Sequence, residues 1–168
     1  NPPAKFAAHF AKARAHGLKV TIHCDVNQED TLGHLREALV DIGADRIDHG
    51  GNIVQSPELM AIARRRDIAF TVCPTFSGTI VTDAGPVDAL RAMLDHGLKV
   101  TVNSDDPAYM GSEYLTDVLI RAQAASHLTV AELVTIERNA FAAAWLPDAA
   151  KARYQARLER YAQSWGLA

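Results

Sequence analysis

One pattern restricts the fold of this chain more than any other. A helix closed by glycine leads into a short apolar run, which ends on a reactive polar side chain, and the unit then repeats. Phe6 to His16 carries Phe6, Phe10 and Ala13 at helical spacing, and Gly17 stops it. Leu18-Lys19-Val20-Thr21-Ile22 then predicts a strand running into His23-Cys24-Asp25. Thr31 to Ile42 puts Leu32, Leu35, Leu39 and Ile42 on one helical face, Gly43 closes it, and Arg46-Ile47-Asp48 leads to His49-Gly50. Ser56-Pro57 opens a third helix, with serine as N-cap and proline in the first turn, and the helix ends in Arg64-Arg65-Arg66. Ile68 to Val72 is a third strand, before Cys73-Pro74. Pro86 to His96 predicts a fourth helix, stopped by Gly97. Leu98 to Val102 is the fourth strand, running into Asn103-Ser104-Asp105-Asp106-Pro107. The remainder reads as helices over Tyr114 to Ser126, Thr129 to Phe141 (Thr129 and Glu132 spaced as a capping box) and Lys151 to Trp165.

Alternating helices and strands imply an α/β fold with a parallel sheet and right-handed crossovers. The strands are apolar nearly throughout, which predicts burial on both faces. At 168 residues and 48% hydrophobic, the chain can bury one core, and no linker divides it, so residues 1–168 read as a single domain. A net charge of −3 argues against nucleic-acid binding. The chain has no apolar run of membrane-spanning length and no secretory signal, so no membrane partner is expected. Two cysteines fit a reduced, cytoplasmic setting rather than a disulfide framework. Residue 1 is Asn, not Met, so the chain is expected to be a piece of something longer.

The reactive residues fall where a site would be. His23, His49, Cys73, Asp105 and Asp106 all follow strands, and in parallel α/β folds ligands bind at the carboxyl ends of the strands. Taken singly, each has a bland reading: a hydrogen-bonded core histidine, a tight turn at His49-Gly50-Gly51, an Asp-Pro turn. Together they would meet at one mouth. Imidazole and carboxylate both suit a divalent metal such as zinc, which activates water. Cys24 and Cys73 read as small buried side chains, and Thr75 and Ser77 as possible pocket-lining residues.

Val20-Thr21-Ile22-His23, Arg46-Ile47-Asp48-His49-Gly50, Val72-Cys73-Pro74 and Val102-Asn103-Ser104-Asp105-Asp106-Pro107, in this order, resemble the second half of the adenosine deaminase family. Asn139-Ala140-Phe141 with Ala144-Trp145-Leu146-Pro147 is similar too. The resemblance covers nearly the whole chain. That family consists of zinc-dependent (β/α)8 barrels of the amidohydrolase superfamily. The resemblance implies a TIM-barrel-type fold, with these strands as strands 5–8 followed by the C-terminal helices. It implies His23 and Asp105 as zinc ligands, with Asp105 also accepting the proton of the attacking water. His49 would orient that water, and Asp106 would hydrogen-bond a ring nitrogen of an aminated purine. The reaction implied is hydrolytic loss of ammonia.

The sequence departs from the family pattern twice. The family's His-x-Gly-Glu supplies a ring-protonating Glu, whereas here His23-Cys24-Asp25-Val26 ends in a side chain with no proton to give. Glu29, in a slightly longer loop, is the preferred replacement, with Asp25 the other. The family's first strand also supplies a His-x-His pair of metal ligands, and none exists here. A full barrel needs about 250 residues. The chain therefore reads as the C-terminal half of a barrel, inactive without an N-terminal half from the same or another chain. Two other readings stand: another amidohydrolase that cleaves an amide or ester, and a non-catalytic, degenerate barrel module.

Overall fold

The computed structural model describes residues 2–24, 29–74, 79–82, 85–110 and 114–167. Four parallel strands form the central sheet in the order β1 (Thr21–Cys24), β2 (Arg46–His49), β3 (Ala69–Val72) and β6 (Lys99–Val102). Consecutive parallel strands as neighbours, each preceded by a helix, are the arrangement of half a (β/α)8 barrel. The helices are α1 (Ala7–Ala15), α2 (Thr31–Arg36), α3 (Pro57–Arg65) and α4 (Ala89–Asp95), then α5 (Pro107–Met110), α6 (Leu115–Ala125), α7 (Val130–Ala143) and α8 (Asp148–Ser164). A 3-10 turn, Pro3–Phe6, precedes α1. The helix expected over Thr31 to Ile42 is there, but it widens to π-helical turns over Glu37–Ile42 before Gly43 ends it at φ +73°.

The local signals act as chemistry requires. The Ser56 hydroxyl accepts from the Leu59 amide at 3.3 Å, with Pro57 in the first turn of α3. Thr129 and Glu132 form the capping box on α7. The first strand begins later than expected and runs through His23 and Cys24, so these side chains sit on the sheet itself.

Two expectations are corrected. The helix predicted to begin at Pro86 begins at Ala89, because Asp88 caps it by accepting from the Arg91 amide at 3.0 Å. Gly85–Asp88 is instead a strand, β5, paired antiparallel with β4 (Thr79–Thr82) in a hairpin outside the main sheet. Proline is tolerated in such an edge strand. The strands are also not apolar on both faces. Ile22, Ile47, Phe70 and Val100 are in register across the sheet and are buried with Leu35, Leu39, Leu59, Met60, Leu90 and Met93 of the surrounding helical segments. The next row in register is His23, Asp48, Thr71 and Thr101, which is polar. Side chains alternate along a strand, so one face builds the core and the other builds a polar barrel interior.

The far end of the interior is closed by the C-terminal segment. The Trp145 ring lies 4.1 Å from the Arg46 guanidinium, a cation–π contact at the amino ends of the strands. Helix α7 packs on β6, where the Asn139 amide donates to the Val100 carbonyl at 3.1 Å. Helix α8 is tied to α7 by paired hydrogen bonds from Arg138 to Glu159 at 2.6 and 2.8 Å and by the stacked Phe141 and Tyr154 rings. No helix among the described residues is long and apolar enough to cross a membrane.

Candidate active site

The inner rows end in an open cavity of about 430 Å3 at the carboxyl ends of the strands. His23, Asp48, His49, Thr71, Cys73, Asn103, Ser104, Asp105 and Leu115 surround it, and such a volume is ordinary for a small-molecule site. His23 reaches it by simple alternation, being an inner-row residue paired with Asp48. His49 cannot. It follows Ile47 by two residues on the same strand and pairs with Cys24, so an extended backbone would turn its ring toward the helices.

The backbone corrects this at one residue. His49 has φ +60°, in the left-handed region that non-glycine residues rarely occupy. Its ring is thereby swung into the mouth, 4.4 Å from the His23 ring in an edge-on arrangement. Gly50 makes the turn possible. It also has positive φ, and a Cβ there would stand 2.8 Å from Ile47 Cγ2 and 3.1 Å from Phe70 Cδ1. The Gly50 amide donates to the Cys24 carbonyl at 2.9 Å, which ties the turn to β1.

Asp105 repeats the device at the end of β6, with φ +57°. Strained non-glycine residues of this kind concentrate at functional sites. The Asp105 carboxylate approaches His49 Nε2 at 3.7 Å, with the Asp105 and His49 side chains 26% and 11% exposed. Cys73 adds a third donor, since its Sγ, a ring nitrogen of His49 and a carboxylate oxygen of Asp105 lie within 4.8 Å of one another. Burial pushes the Cys73 thiol up to about 12, helped by the negative charge of Asp105, the hydrogen bond to it, and the charge of Asp48. Burial first, then Asp48, drives the Cys24 thiol up to about 12 as well. Both are protonated at neutral pH, which agrees with reading them as buried thiols and not nucleophiles.

The structure thus brings His23, His49 and Asp105 to one cavity. It does not bring Glu29 there: Glu29 is exposed in the turn before α2. Asp106 is exposed just before α5, where its carbonyl accepts from the Tyr109 amide at 3.1 Å, and it is not among the residues lining the cavity. Asp25, Thr75 and Ser77 lie outside the described residues. Five lining residues had been given no role from sequence: Asp48, Thr71, Asn103, Ser104 and Leu115. Asn103 donates to Thr101 Oγ1 at 2.8 Å.

The donor set fits a divalent metal ion. Imidazole nitrogens from His23 and His49, a carboxylate from Asp105 and a nearby thiol are the ligand types that zinc accepts.

Comparison with known proteins shows the family. A family model described as adenosine deaminase matches residues 1–161. An uncharacterized deaminase of Schizosaccharomyces pombe is 48% identical over 165 residues, covering 98% of this chain and 48% of the relative. An adenine deaminase of Sphingopyxis alaskensis is 41% identical, covering 96% of this chain and 47% of the relative. Among solved structures, an adenine deaminase from Arthrobacter aurescens superposes with a TM-score of 0.84 at 29% identity, covering 97% of this chain and 49% of that one. An amidohydrolase from Burkholderia ambifaria, solved with bound Zn, also gives a TM-score of 0.84 at 29% identity, covering 95% of this chain and 44% of that one. The chain spans about half the length of the curated relatives it matches.

Proposed function

Because the chain belongs to the adenosine deaminase family, we propose that it supplies half the active site of a hydrolytic deaminase acting on adenine or a closely related aminated purine. The observation that carries this reading is the convergence of His23, His49 and Asp105 on one cavity at the carboxyl ends of parallel strands. The naming of several relatives as adenine deaminases favours a free base over a nucleoside.

His23 and Asp105 would hold the metal with ligands from the rest of the barrel, and zinc is the ion favoured by the donor types and by the Zn-bound relative. When bound, such an ion lowers the pKa of water toward neutrality and so supplies a nucleophile. Asp105 takes the proton from the attacking water, and His49 holds that water by a hydrogen bond. Water adds at the amino-bearing ring carbon and a ring nitrogen gains a proton; Asp105 then passes its proton to the amino group, the carbon–nitrogen bond breaks to release ammonia, and the added hydroxyl gives up its proton to the ring-nitrogen donor to leave the oxo purine. Asp106 is the proposed partner of a ring nitrogen, and Glu29 or Asp25 the proposed proton donor. Closure around substrate would have to carry Glu29 and Asp106 inward from their exposed positions.

The remaining strands are proposed to complete the barrel by pairing with the outer edges of β1 and β6, which have no neighbour among the described residues. The test is ammonia release from adenine by the complete protein, with metal content measured alongside. The expected result is turnover that depends on metal and is lost in Asp105→Ala together with bound metal. Full activity in Asp105→Ala, or a metal-free protein with undiminished turnover, would overturn the assignment.

A further inference from the structure

The Asp48 carboxylate is held by side chains from both neighbouring strands. Its Oδ2 accepts from the Thr21 hydroxyl at 2.9 Å, on β1. Its Oδ1 accepts from the Thr71 hydroxyl at 2.7 Å, on β3, and Arg46 Nε stands 3.6 Å from the same oxygen. One side chain therefore ties three strands together, and it does so at the residue before His49.

On the other side of His49, Gly50 is fixed by the hydrogen bond its N–H donates to the Cys24 carbonyl and by the absence of room for a side chain. His49 hangs between these two anchors with φ +60°. A non-glycine residue with freedom on either side would relax out of that region. Neither neighbour here can rotate to allow it. Relaxation would carry the imidazole away from Asp105 and toward the helix side of the sheet.

We propose that Asp48 is a positioning residue whose three-strand clamp holds His49 in its left-handed conformation with the imidazole facing Asp105. The proposal rests on the deaminase reading for its effect on turnover, but the clamp itself is a matter of geometry. The role needs acceptors rather than charge. Asn at this position keeps an acceptor for one threonine and can donate to the other hydroxyl, whereas Ala keeps nothing.

The experiment uses the complete protein and pairs kinetics with NMR. Asp48→Ala should lower kcat by about 10- to 100-fold, the usual effect of losing the group that orients a reacting side chain, with little change in KM. Asp48→Asn should recover most of the loss. In a His49→Ala background, Asp48→Ala should cost nothing further, since a residue acting through His49 has no effect once His49 is gone. Equal losses in both backgrounds would mean a merely structural role and would overturn the proposal. Wild-type turnover in Asp48→Ala would do the same. Independently of turnover, nuclear Overhauser contacts between the His23 and His49 rings should be present in wild type and Asp48→Asn and absent in Asp48→Ala. Their persistence in Asp48→Ala would refute the clamp. Should Asp48→Ala fail to fold, Thr71→Val removes one tie and should weaken both readouts in the same direction, and unchanged readouts there would refute it. A wild-type protein that shows the ring contacts but releases no ammonia would sink the deaminase reading and leave the clamp standing.

Discussion

Replacing Gly50 by Ala tests the reasoning about the site most directly, because the cost separates into two parts. The first is backbone: a Cβ in the left-handed region costs roughly 1–2 kcal/mol. The second is steric. The new methyl would meet Ile47 Cγ2 at 2.8 Å and the Phe70 ring at 3.1 and 3.2 Å. Both neighbours are fully buried side chains in the middle of the core, with no room to give way. Overpacking of this kind costs about 1–3 kcal/mol. Gly17 is the control. It has φ +76° and nothing within 4 Å of a built Cβ, so Gly17→Ala meets the backbone part alone. The effect of Ala on the unfolded chain is the same at both positions and cancels in the comparison. Equilibrium urea unfolding of both variants, read as midpoint shifts at constant slope, should show Gly50→Ala the more damaged by about 1–3 kcal/mol. Equal losses would refute the claim that Gly50 is fixed by close packing, and with it one of the two anchors of His49.

Glu132 gives an acid-limb prediction. Its carboxylate accepts from Arg91 at 2.7 Å and from the Thr129 amide at 2.8 Å. Chiefly through Arg91, then through Thr129, its pKa is drawn from 4.5 to about 2. A carboxyl depressed on folding stabilises fully above its unfolded value and loses that contribution as pH falls through the folded one. The melting-temperature gap between wild type and Glu132→Gln should therefore be widest at neutral pH and close between 4.5 and about 2, and a gap independent of pH would contradict it. The buried Cys24 and Cys73, both with thiols held near 12, should resist alkylation at neutral pH in the folded protein and react quickly in urea. Mass spectrometry over a time course would show this, and equal rates in both conditions would rule it out.

The parts of the fold legible in the sequence were those set by local chemistry. Glycine stops at 17, 43 and 97, the Ser56-Pro57 start and the Thr129/Glu132 box each act through neighbouring backbone groups, and each stands where expected. That His23, His49 and Asp105 stand at the carboxyl ends of neighbouring strands followed from strand order. The β4–β5 hairpin was missed because Pro86 suits a first helical turn as well as an edge strand, and only pairing with Thr79–Thr82 decides between them. Asp48 was passed over for a related reason. Arg46-Ile47-Asp48 looks like a polar flank until Thr21 and Thr71 are seen on either side, and those partners are distant in sequence. A tight turn at His49-Gly50-Gly51 was legible, but not that it takes His49 itself to positive φ and so turns the ring into the cavity.

Two left-handed residues at the cavity, His49 and Asp105, leave the protein with a standing conflict between robustness and work. Each holds a shape that its own backbone disfavours. A laboratory lineage bred solely to survive heating would find easy gains by substituting glycine at these two positions. Its descendants would be sturdier and idle.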